Sequence, residues 1–496
     1  MDFIKISIRR LGKDKFLLCV YLIIILASFL RFYNFDNRWG LAYDQSRDVL
    51  VARAALDGYK LPLVGPFSSA GQFVYGPQWF WTLMFMINIY PSFLLTPWLI
   101  QSFLYVAAVF LMILIGKEIN GKVFGLFVGF LAAISPAQIA QSTNLTSPSM
   151  VAIFSMVSVY FFIRYIKYQK TVDIFLMGLC VSTSINIHFQ AIGLLILIPI
   201  SLSLGGYNLN IIRACLAGAI IPFIPLIIFD LSNNFFESKN MIDYYRFGQY
   251  RIYIPNRWLT YVGVFWPHAW ARIVGGNTIL GYTSIILISI VTLYKVAKRE
   301  VTKPILSIII SFFAMFVILR YYRGEKFDSY LTFFHPFILI LTAWVIFQVY
   351  RLNRTLGFLV LIVFLIGSIN MSWPEIINVS NNSAFRAESW KNLLISKYPG
   401  EKFAVYDYGY SSAGFSLPLV LFLYNDGRIS DKGHKIGFGS KPKVIVQDHK
   451  EILGNKAGFR LRDLDSSTSA QLSEDGWAFI NPSSIYRSTE EWYYKK

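Results

Sequence analysis

Apolar runs close to the length a helix needs to cross a bilayer, about 20 residues, recur along most of this 496-residue chain. That recurrence allows one class of fold, a polytopic α-helical membrane protein. Charge supports it: only 15% of residues are Asp, Glu, Lys or Arg, where a soluble chain carries roughly a quarter. The net charge of +18 is no sign of nucleic acid, because the basic residues gather in short loops between apolar runs. The three cysteines, Cys19, Cys180 and Cys215, sit inside apolar runs, so neither a disulfide framework nor a cysteine metal cluster is expected.

The N-terminal stretch carries Lys5, Arg9, Arg10, Lys13 and Lys15. The apolar run that follows is long for a signal sequence and has no small-x-small cleavage site after it, so a retained first span is expected. Candidate spans are 16–33, 97–116, 122–140, 149–165, 171–187, 189–204, 211–229, 280–297, 303–320, 331–350 and 355–373, eleven in all. The segment 77–94 is apolar but interrupted by Asn88 and Pro91, and whether it crosses decides the sidedness of everything after it. If it does not, the inner loops collect Lys117, Lys122, Arg164, Lys167, Lys170, Arg213, Lys295, Lys298, Arg299, Lys303, Arg351 and Arg354. That is the arrangement the positive-inside rule requires. The segment is therefore expected to lie along or dip into the outer interface, with Trp79, Trp81 and Tyr90 as interfacial anchors. The N-terminus is then inside and the C-terminus outside.

Past residue 373 short apolar stretches, such as 403–406, 417–423 and 444–446, alternate with turn signals. We expect a membrane domain over 1–373, with its first outer loop at 34–96, and a small α/β domain over 374–496 on the outer face. No catalytic motif is visible in that second domain.

The first outer loop holds the densest chemistry. It opens on Tyr43-Asp44-Gln45-Ser46-Arg47-Asp48, passes through the Gly/Pro-shaped stretch 65–71, and closes on Tyr75-Gly76-Pro77-Gln78-Trp79-Phe80-Trp81. Asp44 at a membrane surface can serve as a general base toward an attacking hydroxyl; it can equally be a solvated aspartate capping a helix over 46–56. Arg47 and Asp48 follow at spacings of three and four, which puts all three on one helical face. Arg47 either makes an ordinary surface ion pair or fixes the carboxylate and binds an anionic phosphate through its planar fork. The Gly/Pro elements are not a phosphate-binding P-loop, since Gly-Lys-Ser/Thr is absent; they shape a wall. His188 and Gln190 fall in the tight turn between two spans, on the same side as Asp44. Arg320, Arg323, Lys326 and Tyr330 form a second cationic group on that side, suited either to a departing phosphate or to lipid head groups. His268 and His335 have no metal-ligand spacing to Asp or Glu.

These residues together resemble the GT-C superfamily of membrane glycosyltransferases. The resemblance is greatest to glycosyltransferase family 39, the protein O-mannosyltransferases and lipid A aminoarabinose transferases. Members of that family carry Asp-Glu-x-Arg in the first outer loop and a Pro-aromatic run before the second span. Here Asp44-Gln45-Ser46-Arg47 and Gly76-Pro77-Gln78-Trp79-Phe80-Trp81 occupy those places. The resemblance covers about 1–373. It implies a polyprenyl-phosphate-linked sugar donor, transfer to an acceptor hydroxyl on a protein, lipid or glycan, and inversion at the anomeric carbon. It makes Asp44 the base and Arg47 its support. Beyond that motif, the position and charge of Gln45, Asp48, His188, Gln190, Arg320, Arg323 and Tyr330 lead us to expect them to contact substrate. The implied place is the outer face of the cell membrane, with bilayer lipid as a further partner and no nucleic acid. Three departures stand out. Gln45 replaces the usual Glu, the second outer loop reads Thr143-Asn144-Leu145-Thr146-Ser147-Pro148 where relatives often have Asp, and Tyr75 stands beside Gly76 where some have Lys. No organic cofactor is expected, and use of a divalent cation stays open.

A competing reading is a transporter or flippase for a lipid-linked sugar. Such proteins keep ionisable groups at mid-membrane and often use broken helices, whereas here the polar residues sit at the outer ends of the spans.

Overall fold

The computed structural model describes residues 14–58, 61–68, 70–250, 257–324, 326–378, 382–407 and 413–439, and the short strands at 451–454, 460–463 and 478–479. Lys5, Arg9, Arg10, Lys13 and the stretch 444–446 lie outside the described residues. The chain divides into two compact units. One is Met1–Phe35, Leu63–Trp79 and Trp98–Val379; the other is Asp36–Pro62, Phe80–Pro97 and Ser380–Lys496.

Among the described residues eight helices are long and apolar enough to cross a membrane, and three shorter apolar helices accompany them. The longest, Thr96–Ile134, is two helices: the backbone leaves helical geometry at Asn120 and Gly121, where Gly121 has φ 85°. A glycine accepts that conformation without the Cβ clash other residues meet. The two arms pack at close range. A Cβ at Gly125 would lie 2.6 Å from the Ile113 carbonyl oxygen, so glycine is required there. Small residues that let backbones meet are a common device between membrane helices. The same device joins Thr171–Ile187 to Leu209–Ile220, where a Cβ on Gly218 would come 2.2 Å from the Phe175 oxygen. The run Asp328–Leu352 is the most buried of the eight and lies at the centre of the first unit.

Sequence and structure agree on most of the long apolar segments. The segment 77–94 contains a helix of only 12 residues, Gln78–Ile89. At 1.5 Å per residue it is about 18 Å long, well short of the ~30 Å hydrocarbon core.

One charged side chain is sequestered at the end of the first span. Arg31, fully buried in Lys15–Phe32, donates to the carbonyls of Ala27 and Ala133, each at 3.1 Å, and of Ala132 at 3.2 Å. The latter two oxygens belong to the last turn of Thr96–Ile134, whose carbonyls have no partners within the helix. A cation there meets both the unfilled acceptors and the negative end of the helix dipole.

In the second unit, β1 (Phe403–Asp407), β2 (His434–Gly439), β3 (Glu451–Gly454), β4 (Arg460–Asp463) and β5 (Ala478–Phe479) form one sheet, in the order β3-β4-β2-β1-β5. β1 and β2 are parallel, and the other pairs antiparallel. The helix Ala413–Asn425 between β1 and β2 supplies their crossover. It packs against both Asn382–Lys397 and Tyr43–Leu56. The phenol of Tyr424 donates to the Asp57 carboxylate, tying the residue that follows Tyr43–Leu56 to the crossover helix within this unit.

Candidate functional site

In the second unit, the helix carrying the acidic cluster begins at Tyr43, three residues earlier than the sequence suggests. The cause is Gln45, whose Oε1 accepts the Ala42 amide proton at 3.1 Å and closes the first turn. Asp44 is therefore a first-turn residue and not the cap, and its negative charge sits at the favourable end of the helix dipole.

Arg47 is the centre of this cluster. Its Nη1 lies 3.1 Å from Asp44 Oδ1, its Nη2 2.7 Å from Asp48 Oδ1, and its Nε donates to the same Asp48 oxygen at 2.8 Å. The Tyr43 ring lies 5.3 Å from the guanidinium carbon. Burial works against the Arg47 charge, but the Asp48 and Asp44 carboxylates outweigh it and hold the guanidinium above its ordinary value. Asp48 is 2% exposed, while the Asp44 side chain is 61% exposed. The two carboxylates are thus unequal: Asp48 is locked into the helix packing, and Asp44 is held by one ion pair and open to solvent.

In the first unit, the chain at 65–76 forms a short two-stranded ladder. Gly65 N–H donates to Tyr75 O at 2.8 Å, Tyr75 N–H to Pro66 O at 3.0 Å, and Phe67 bridges Val74. Gly76 N–H donates to Asn186 O at 2.7 Å. Both glycines are demanded by crowding, since a Cβ on Gly65 would lie 2.2 Å from Gly76 O and one on Gly76 2.2 Å from Asn186 Oδ1. The Gly/Pro stretch read as a wall is this ladder.

The ladder presents Tyr75 to His188. The Tyr75 hydroxyl lies 3.1 Å from His188 Nε2, and the rings are 4.6 Å apart. Tyr330 lies against His188, at 4.9 Å between centroids. His188 is 5% exposed, and burial lowers it to about 3, so it is neutral. It is a packed, hydrogen-bonded ring. Gln190, close by in the chain, has a buried Oε1 without a hydrogen-bond partner.

Arg320, 6% exposed, lies with its guanidinium carbon 5.0 Å from the Trp258 ring and 5.6 Å from that of Tyr261, and its buried Nε has no hydrogen-bond partner. Arg323 donates its backbone N–H to Gln249 Oε1 at 3.3 Å, and Lys326 Nζ donates to Tyr322 O at 2.6 Å. Burial, together with the charges of Arg320 and Arg323, lowers Lys326 to about 8. Among the described residues none of the three cations has an ion-pair partner; Glu325, in the same stretch, lies outside them. Like charges this close raise one another's cost of ionisation, which is why the neighbouring arginines help to lower Lys326.

Two groups escaped the sequence reading. Glu237, at the start of the helix Phe236–Arg246, is 2% exposed. Its Oε2 accepts the Val74 amide proton at 3.1 Å, and its Oε1 has no hydrogen-bond partner. Burial raises this carboxyl to about 8, the Val74 bond opposing and the Asp230 charge adding to the rise. The second is Tyr75 itself, whose hydroxyl bond to His188 has no signal in local sequence.

The structure brings Asp44, Arg47 and Asp48 together in one unit. It joins His188 to Tyr330, and Arg320 to Arg323 and Lys326, in the other. Gln45 spends its carbonyl on the helix start. Among the described residues no three His, Cys, Asp or Glu side chains converge in a way that would hold a metal ion.

No protein-family model matches this chain, and no curated protein matches its sequence. Solved structures do match its fold. ArnT from Cupriavidus metallidurans aligns in its apo state at 12% identity with a TM-score of 0.61, covering 90% of this chain and 98% of ArnT. The same protein bound to undecaprenyl phosphate aligns at 10% identity and 0.63, covering 89% and 97%. The apo oligosaccharyltransferase of Archaeoglobus fulgidus aligns at 12% identity and 0.54, covering 82% of this chain and 64% of that one. This chain therefore shares its fold with ArnT and with the archaeal oligosaccharyltransferase; at these identities the likeness is one of fold alone.

Proposed function

We propose that this protein is an integral-membrane glycosyltransferase that moves a sugar from a polyprenyl-phosphate donor to an acceptor hydroxyl at the outer face of the cell membrane. In this reading the chain crosses the membrane eleven times, because the arms of Thr96–Ile134 count separately and the shorter apolar helices Thr171–Ile187 and Phe189–Gly205 also cross. The 1–373 part carries the transferase, and 374–496 lies outside.

The observation that carries the proposal is the unequal acidic pair around Arg47. A general base must keep a free lone pair and be reachable by its substrate. Asp44 meets both needs, since Arg47 holds it through one oxygen and the rest of the side chain is exposed. Asp48 fixes Arg47, and Arg47 orients Asp44 through their 3.1 Å ion pair. Support also comes from the fold, since ArnT, which shares it, was solved with undecaprenyl phosphate.

The reaction is a single displacement. The acceptor oxygen attacks the anomeric carbon as its proton passes to Asp44, and the bond from that carbon to the phosphate oxygen breaks. The electron pair leaves with the polyprenyl phosphate, and configuration inverts. Arg320, Arg323 and Lys326 are assigned to the phosphate, where fixed positive charge stabilises the leaving group as the bond breaks. Here they replace the lysine some relatives carry next to the Pro-aromatic run. Gln190, with its unpartnered Oε1, is assigned to a substrate hydroxyl, and His188 and Tyr330 to the wall behind it.

The test is release of polyprenyl phosphate from a panel of prenyl-linked sugars by the purified protein and by Asp44→Asn. Acceptor-dependent release that the substitution abolishes supports the reading. Equal release by both proteins removes Asp44 as the base.

A further inference from the structure

The first unit contains a cavity of about 260 Å³ that the transferase reading does not use. It lies among the helices Pro136–Thr143 and Trp266–Ile273 and the turn Asp328–Phe334 that leads into His335–Leu352. The groups that line it are chemically complete. Arg272 and Asp328 pair at 2.8 Å, and Ser329, Gln141 and His335 add a hydroxyl, an amide and an imidazole. Gln138 Nε2 lies 2.9 Å from His335 Nδ1. An amide NH2 only donates, so Nδ1 accepts and the ring proton resides on Nε2. The cavity is thus lined by donors and acceptors in a small space.

Two features define what fits. First, the one cation and the one carboxylate cancel each other. With its charge so balanced the site offers a charged ligand no net attraction, whereas a neutral ligand with hydroxyl groups can bond to both partners without separating them. Second, Ala137, Ala140 and Ala269 also line the cavity, and side chains this short leave flat apolar surface between the polar groups. Alternating hydroxyls and C–H faces are the surface of a sugar ring. The volume lies just below the range of drug-sized sites, about 300–1,000 Å³, and suits a single ring.

We propose that this cavity binds one neutral pyranose ring, belonging either to the acceptor, which would then be a glycan, or to the sugar of the donor. The binding claim stands on the cavity alone; only the use made of the ring rests on the transferase reading.

The experiment is saturation-transfer NMR on the full chain in phosphatidylcholine nanodiscs, which avoids sugar-headed detergents. The probes are the methyl glycosides of glucose, mannose, galactose and glucuronic acid. At least one neutral glycoside receives saturation from the unaltered protein, and methyl glucuronide does not. Ala140→Phe, which fills the space, lowers the signal about tenfold or more. Ala140→Ser leaves the space open and keeps the signal. Asp328→Asn, which frees the Arg272 charge, gains binding of methyl glucuronide, a change that mere loss of packing would not produce. Displacement of the bound glycoside by a prenyl-phosphate hexose identifies the donor ring, and simultaneous binding of both identifies an acceptor glycan. The proposal is overturned if no neutral glycoside receives saturation, if Ala140→Phe leaves the signal unchanged, or if Asp328→Asn gains nothing. Asp44→Asn retains glycoside binding whether or not Asp44 is the base, so failure of the transferase reading is read separately.

Discussion

Glu237 Oε2 accepts the amide proton of Val74 at 3.1 Å, across 163 residues of sequence. The bond joins the helix Phe236–Arg246 to the ladder that carries Tyr75. The carboxyl is buried, stands at about 8 and has Asp230 as its acidic neighbour. An unfolded Glu titrates near 4.5, so between 4.5 and about 8 the folded chain holds a proton that the unfolded chain has lost. Stability from this group therefore falls as pH rises across that window and levels off above it. Thermal unfolding in nanodiscs is expected to show this decline, and Glu237→Gln, which keeps an acceptor for Val74, to flatten it. Glu237→Ala leaves the amide unpaired and is expected to cost about 1–3 kcal/mol at low pH, where the native carboxyl is protonated, and less as pH rises through the window. An unchanged pH slope in the Gln variant would show that Glu237 is not the titrating group.

Asp44→Asn is expected to lower transfer by about 10²–10⁴-fold. Its stability should change by no more than ~0.5 kcal/mol, since the side chain is largely exposed. Asp48→Asn should also lower transfer, but by another route. It removes the charge that holds Arg47 at 2.7 Å and leaves a partly buried guanidinium undercompensated, so its melting temperature falls as well. Measuring turnover and unfolding on both variants separates a proton acceptor from a positioning residue. Transfer lost equally in both, with equal loss of stability, would count against the assignment.

The long apolar segments and the Asp44–Arg47–Asp48 face are legible in the sequence because both depend on spacing along a single helix. Hydropathy over a window finds the first, and intervals of three and four residues find the second. The helix start is misread by three residues because the Gln45 side chain closes a turn that local propensity does not reveal. Long-range pairings are not legible at all. Nothing near Val74 announces Glu237, and nothing near His188 announces Tyr75, since each partner is set by helix packing. For the same reason the sequence lists Arg320, Arg323 and Lys326 as neighbours in the chain but cannot show that their charges act on one another.

Tyr75→Phe tests whether His188 is a wall or a ligand. The substitution keeps the ring stacked against His188 but removes the hydroxyl 3.1 Å from Nε2. A buried imidazole nitrogen left without its partner is expected to cost about 1–3 kcal/mol. If His188 only packs, donor KM stays within about twofold while the melting temperature falls. A donor KM raised with unchanged stability would make His188 a ligand.

Lys326 supplies the last prediction. It titrates near 8, lowered by burial and by the charges of Arg320 and Arg323, so it is a cation below that pH and neutral above it. If these three groups hold the donor phosphate, kcat/KM for the donor, which reports the free enzyme, should fall as pH rises through about 8. Bound phosphate favours the charged lysine, so the decline in kcat should appear at higher pH than the decline in kcat/KM. Lys326→Arg keeps the charge at every accessible pH and should remove the decline, whereas Lys326→Gln should reproduce the high-pH value at all pH. Arg320→Gln, by reducing the repulsion on Lys326, should move the decline upward while raising donor KM. A pH profile that is the same for the unaltered protein and Lys326→Arg would take the phosphate away from this cluster.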